Sequence, residues 1–337
     1  MDIRTLGALS ALLLISPAAP AEETSATPYA ERTDVRAFAH ELAKREGLDE
    51  AKILASLCEA RFQPSVIKAI LPPASPASRS WVRYRARFLD RPRITGGLGF
   101  WQIYSDALTR AEKQYGVPAE IIVAIIGIES IYGRGPGNYQ TLSALATLAF
   151  DYPPRAELFR QELSELFLLA RDQSRDVASF KGSYAGAIGL PQFMPSSIRR
   201  FAIDFDADGK IDLEMNPVDA IGSVANFLNK HGWKNGEIAA LPARVSDAQN
   251  AAAAIEGGIV PRYSRTELAR LGISADTPLT VDAPAALIDL PSPEAATEYW
   301  LGYANFYVIT RYNRSSFYAM SVLQLARALR TEHDQQP

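Results

Sequence analysis

One cysteine, three histidines and no apolar run long enough to cross a bilayer mark what this 337-residue chain does without. With Cys58 alone no internal disulfide can form, and its place in the helical pattern ILASLCEA assigns it to the core as a small hydrophobe. His40, His231 and His333 lie far apart in sequence, so there is no transition-metal cluster of the usual spacing. No GxSxG elbow occurs, and no GK[ST] follows the glycines after Gly133, which removes most support for triad hydrolases and nucleotide enzymes. Neither sign of charge dominates: a net charge of -3 leaves no electrostatic footprint for DNA or RNA.

What is present starts with Arg4, an apolar run from Leu6 to Ile15, and small residues ending at Ala19, Pro20 and Ala21. This is the arrangement of a secretory signal peptide over residues 1–21, cleaved after Ala21 and followed by a polar spacer, 22–33. The run is short for a membrane anchor, and no cysteine near the cleavage point offers a lipid attachment site; the expectation is a soluble, exported protein. Length and a 47% hydrophobic composition allow a sizeable core split over two or three lobes.

Residues 34–116 read as a helical lobe. Val35 to Arg45 and Glu50 to Arg61 have helical spacing, Pro64 opens a short helix, and Pro72, Pro73 and Pro76 force a loop. In Trp81 to Leu89 aromatic and basic residues interleave, which suits sugar stacking or plain packing. Gly96 and Gly97 then precede an amphipathic helix from Phe100 to Tyr115.

The organising stretch is Val117 to Gly133, VPAEIIVAIIGIESIYG. Pro118 has the fixed φ suited to a first helical position, and Glu120 puts negative charge in the first turn. From Ile121 to Ile128 the helix is apolar all round, so it is expected to be buried on most sides. Glu129 falls one turn beyond Ile125 and Ile126, near the helix C-terminus, where desolvation and the helix dipole both favour the neutral acid. Such an acid can donate a proton to a leaving group, and the glycine-rich exit around Arg134 leaves backbone open beside it.

Further on, Leu142 to Phe150 and Ala156 to Arg171 are helices, while Lys181 to Phe201 sets Ser183 and Gln192 among glycines and prolines, where a polar ligand can approach the backbone. DFDADGKID places Asp204, Asp206, Asp208 and Asp212 at positions 1, 3, 5 and 9 with Gly209 at 6, the spacing of an EF-hand calcium loop. Position 12 is Met215, so the closing carboxylate must come from elsewhere, and Asp219 in the helix Pro217 to His231 is the best placed. Residues 237–297 read as a small β-containing lobe with a helix capped by Ser264 and Glu267, and with strands at Leu279 to Val281 and Ala286 to Leu290. Tyr299 to Thr310 reads as strand or loop, Ser315 to Arg330 as a final helix, and 331–337 as a polar tail.

IESIYGRGPGNY, TLSALATLAFDYPPR, KGSYAGAIGLPQFMPSS, NPVDAIGSVANFLNKHGW and FYVITRYNRSSFYAM together closely resemble the B-type lytic murein transglycosylases of bacteria, membrane-bound and soluble, over roughly Val35 to Arg330. The resemblance implies an α+β, mainly α-helical protein: a lysozyme-like core domain over 117–236, a helical lobe, a small inserted β lobe, and a groove strand and helix over 298–330. It implies periplasmic action on the glycan strands of peptidoglycan, by a monomer, with cell wall synthesis or remodelling proteins as further candidate partners. The family's catalytic glutamate falls on Glu129. Its groove residues fall on Tyr84, Arg155, Ser183, Gln192, Tyr312, Asn313 and Tyr318, and a groove tyrosine of some relatives falls on Phe227, which lacks the hydroxyl. Its calcium ligands fall on Asp204, Asp206, Asp208, the Lys210 carbonyl and Asp219; calcium is then structural, and catalysis uses no cofactor.

Ordinary glycosidases use two carboxylates, and only one well-placed carboxyl is evident here. The implied chemistry is therefore cleavage of the MurNAc–GlcNAc bond with Glu129 as acid and then base, giving 1,6-anhydro-MurNAc ends. Two other readings stay open on residues alone: a hydrolytic muramidase with a second acid such as Asp151, and a peptidoglycan-binding scaffold without turnover.

Overall fold

The computed structural model describes residues 28–71, 79–276 and 282–335. The expected signal peptide, the first half of the spacer, the proline loop at 72–76 and the strand at 279–281 lie outside the described residues.

The N-terminal helices are α1 (Thr33–Glu46), α2 (Glu50–Glu59) and α3 (Pro64–Ile70). Asp49 caps α2 by accepting from the Ala51 and Lys52 amides, and Pro64 starts α3 where its missing N–H costs nothing. Cys58 is exposed on α2, contrary to the core role expected of it. Its neighbours Ile53 and Leu57 take the buried stripe, and position 58 falls just past its edge.

Next come α4 (Trp81–Ala86), α5 (Arg91–Ile103) and α6 (Ser105–Tyr115). The single helix expected from Phe100 to Tyr115 is broken at Tyr104, and Gly96 and Gly97 lie inside α5 rather than ahead of it. Asp90 accepts from the Arg93 amide and Pro92 follows, so the start signal lies ten residues earlier than the apolar period suggests.

The apolar helix is α7 (Ala119–Ser130), with Pro118 its N-cap, and it packs against α5, α6, α11 (Pro217–Lys230) and α15 (Ser316–His333). Around it lie β1 (Tyr139–Gln140), α8 (Thr141–Asp151), α9 (Ala156–Asp172), β2 (Lys181–Gly182) and α10 (Pro195–Phe201). One continuous core runs through all of these, as expected for a helix with no face suited to water.

The sheet lobe contains β3 (Ala240–Val245), α12 (Ala248–Glu256), α13 (Arg265–Arg270), β4 (Ile273–Ala275), β5 (Ala286–Ser292) and β6 (Ala295–Gly302). All pairs are antiparallel, in the order β4-β3-β6-β5, and the expected Ser264–Glu267 capping box is formed at α13. A second, smaller core including Leu268, Ile273, Leu287 and Leu301 holds this lobe. The chain from Tyr299 is strand only to Gly302. It then forms α14 (Ala304–Tyr312), because buried Asn305 ties the helix start to Lys234 and Glu237 while Phe306 and Ile309 share its inner face. Aromatic β propensity yields there to tertiary packing. Helix α15 continues to His333, into the stretch expected to be a polar tail. Among the described residues no helix is long and apolar enough to cross a membrane.

The β5–β6 hairpin also holds the start of α4, the helix that carries Tyr84. Its tip residues bind the start of α4: the Ser80 hydroxyl donates to Glu294 at 2.5 Å, and the Val82 amide donates to the Ser292 hydroxyl at 3.1 Å.

Candidate active site

The site forms where α7 ends. Ile121 through Ile128 are all buried, and Glu129, one turn past Ile125 and Ile126, keeps only part of its surface in reach of solvent. Its Oε1 accepts a hydrogen bond from the Tyr318 hydroxyl of α15 at 2.6 Å. Burial disfavours the carboxylate more than that hydrogen bond favours it, and the pKa is pushed up to about 7. An ordinary glutamic acid is ionised at that pH, whereas this one is about half protonated.

Tyrosines surround the acid. Burial, and then the negative charge of Glu129, raise the phenol pKa values of Tyr84, Tyr312 and Tyr318, so all three remain hydroxyls through the neutral range. The Tyr312 and Tyr318 rings stack with centroids 6.2 Å apart, and the Tyr312 hydroxyl donates to the Pro191 carbonyl. Phe227 meets the Tyr312 ring edge-on at 4.9 Å and is itself buried, so it backs the wall and brings no polar group. Tyr84 leans on Phe317 at 5.5 Å. Tyr318→Phe removes the one hydrogen bond favouring the ionised acid. The alkaline limb of the pH–rate profile is then expected to move to higher pH; a downward move would contradict this electrostatic account.

Ser183 and Gln192 are held by backbone. A Cβ on Gly137 would sit 2.2 Å from the Gly182 carbonyl oxygen, and one on Gly182 would sit 2.0 Å from that of Ala187, so no side chain fits at either position. This close packing pairs β1 with β2 and closes the turn in which the Ser183 hydroxyl accepts from the Ala187 amide at 3.1 Å. Gln192, at φ 50°, donates both amide hydrogens, to Pro136 and Gly189 carbonyls at 2.8 Å, which leaves Oε1 as the group it offers. Asn313 follows Tyr312 as an exposed cap of α14. Arg155 stands apart, exposed at the start of α9 with its guanidinium 5.3 Å from the centre of the Phe159 ring.

Carboxylate oxygens of Asp204, Asp206 and Asp219 all lie within 4.8 Å of one another. Asp219 is fully buried and accepts from the Phe205 and Asp212 amides at 2.7 and 2.8 Å; its pKa is raised by burial and by the charges of Asp206 and Asp204. Asp208 lies outside this trio, its Oδ1 accepting from the Lys210 amide at 2.8 Å. Three clustered carboxylates repel one another unless a cation joins them, and an all-oxygen donor set suits a hard ion such as calcium.

A profile of the transglycosylase SLT domain matches residues 30–327. The chain belongs to the transglycosylase SLT domain family. It is 41% identical to the membrane-bound lytic murein transglycosylase B of Escherichia coli K12 over 310 residues, covering 89% of this chain and 84% of that protein. The solved structure of the soluble lytic transglycosylase SltB1 from Pseudomonas aeruginosa superposes with a TM-score of 0.83 at 44% identity, covering 89% and 99% of the two chains. That of the E. coli lytic transglycosylase Slt35 in complex with calcium gives 0.79 at 39%, covering 93% and 96%.

In this member of the transglycosylase family the carboxyl oxygens of Asp151 accept from the Tyr29 hydroxyl and from Arg32, both at 2.6 Å. It anchors the N-terminal turn to α8, which weakens its candidacy as a second catalytic acid. One residue escaped the sequence reading. Ile131, Tyr132 and Gly133 all have positive φ, 51°, 58° and 86°. A non-glycine residue held there costs on the order of 1–3 kcal/mol, more so when β-branched. Gly127 inside the apolar helix and the pair Gly96 and Gly97, which the sequence placed ahead of a helix, together make room for the Tyr132 ring.

Proposed function

We propose that this lytic transglycosylase cleaves the β-1,4 bond between MurNAc and GlcNAc of peptidoglycan with Glu129 as its one proton-transferring group. The observation that carries the reading is a carboxyl at the end of a buried helix, bonded by the Tyr318 hydroxyl in a tyrosine-lined site, where burial pushes its pKa up to about 7. Protonated Glu129 donates to the glycosidic oxygen, and the bond from that oxygen to C1 of MurNAc breaks, releasing the GlcNAc 4-hydroxyl. The substrate's own N-acetyl oxygen stabilises C1, and Ser183 orients that group. The Glu129 carboxylate then takes the proton of the MurNAc C6 hydroxyl as O6 bonds to C1. The acid is regenerated, no water is consumed, and the glycan ends in 1,6-anhydro-MurNAc. A nucleophile within the same sugar gains a high effective molarity, which explains how one carboxyl suffices.

Mass analysis of digested cell wall tests this. Anhydro ends are expected; ends one water heavier would mean a hydrolytic muramidase, and no product at all would leave a binding scaffold. We further infer export to the periplasm by the signal peptide over 1–21. A structural calcium ion bound by Asp204, Asp206 and Asp219 is expected to raise Tm on addition, because a ligand of the native state alone stabilises by mass action. A Tm unchanged by calcium and by EDTA would remove the ion from the account.

A further inference from the structure

Tyr132 follows the catalytic helix by two residues, and its side chain returns along it. The ring fills a slot whose walls are glycines of two helices: a Cβ on Gly96 of α5 would lie 3.1 Å from the ring, and one on Gly97 of α5 or Gly127 of α7 would lie 2.4 Å from the hydroxyl. That hydroxyl donates to the Arg93 carbonyl at 2.9 Å. Arg93 Nε in turn donates to the Gly127 carbonyl at 3.1 Å, the same oxygen that accepts from the Ile131 amide at 3.2 Å as α7 ends. Arg93 is fixed by Asp90 at 2.7 Å and by the Arg87 carbonyl at 2.9 Å. The circuit runs from Tyr132 through Arg93 to Gly127 and back through Ile131, and Glu129 lies inside it.

We propose that Tyr132 is a positioning residue for the reaction: wedged between α5 and α7, it holds the last turn of α7 in its left-handed exit and so fixes where the Glu129 carboxyl points. Its hydroxyl bonds the Arg93 carbonyl rather than the acid, so it acts through the end of the helix. The strain at Ile131 and Tyr132 persists because the slot and the hydroxyl bond over-determine the turn. An exit free to relax would let the carboxyl turn toward water, away from Tyr318 and from the bond it must protonate.

The inference rests on Glu129 being the acid. Tyr132→Phe keeps the ring and loses only the bond to Arg93. The expected result is a fall in kcat on the order of 10- to 100-fold with KM unchanged, since a misplacement of about 1 Å at the reacting group costs up to about 10²-fold. The alkaline limb of the pH–rate profile moves down as well, as Glu129 gains water. A 13C titration of the Glu129 carboxyl in wild type and Tyr132→Phe reads the same downward shift without turnover, so it tests the wedge even if wild type forms no anhydro ends and the functional reading fails. Gly96→Ala, whose Cβ would meet the Tyr132 ring alone, at 3.1 Å from the other helix, is expected to move both readouts in the same direction. An activity loss that tracks Tm and disappears well below it, with the carboxyl titration unmoved, overturns the proposal.

Discussion

Glu129→Gln is expected to abolish release of anhydro-muropeptides while leaving glycan binding intact. Proton donation by a positioned acid contributes on the order of 10²- to 10⁴-fold, and in the proposed mechanism the same group also serves as base, so the expected loss falls at the upper end or beyond. The amide keeps the shape and still accepts from Tyr318, which separates chemistry from packing. In the unmodified enzyme the donating form is the protonated one. With a pKa of about 7, activity falls as pH rises through neutrality rather than through the ordinary carboxylate range near 4.5. Stability follows the opposite logic in the variant. The native state binds this proton more tightly than the unfolded chain, so below pH 4.5 the burial costs nothing, and the cost grows between there and about pH 7. Above neutrality it amounts to about 3 kcal/mol. Glu129→Gln removes that cost, and thermal melts are expected to show a higher Tm than wild type at pH 8 but not at pH 4. A Tm equal to wild type at both would mean that the carboxyl is better solvated than its surroundings indicate.

How far such a site can be read in advance depends on the sequence distance between the groups involved. The burial of Glu129 was legible in direction because it closes an apolar helix one turn past Ile125 and Ile126, whereas the tyrosines that complete the surroundings come from α4, α14 and α15. The acidic loop was legible because DFDADG carries its own turn residue, Gly209 at φ 90°, within the motif. Tyr132 was hidden because its slot is built from α5, some forty residues upstream, and nothing local marks an aromatic residue that folds back on its own helix. The same applies to Asn305, whose bonds to Lys234 and Glu237 turn an aromatic stretch with strand character into α14. Ser183 and Gln192 stood out as polar groups among glycines and prolines, but their place in the groove came from the resemblance. Close backbone contacts such as Gly137 on Gly182 explain why small residues crowd there, but they become visible only once the two segments meet.

Asp219 links the acidic loop to the core, and Asp219→Ala is expected to be among the most destabilising single changes in the molecule. The side chain is fully buried, accepts from two backbone amides on either side of the loop, and starts the helix α11 that packs on α7. Truncation leaves the Phe205 and Asp212 amides without partners in a protein interior, at about 1–3 kcal/mol each. Relief of repulsion with Asp204 and Asp206 offsets part of this in the metal-free protein. With calcium present it offsets nothing, because the ion already neutralises the cluster and the variant loses a ligand as well. The expected outcome is a Tm drop of roughly 5–10 °C in calcium, a smaller drop in EDTA, and a much reduced calcium-dependent Tm shift. Asp219→Asn retains one acceptor oxygen and is expected to fall between the two. Equal drops with and without calcium would mean that Asp219 serves the fold only through its two amides, and the cation would then have to be held by the exposed carboxylates alone.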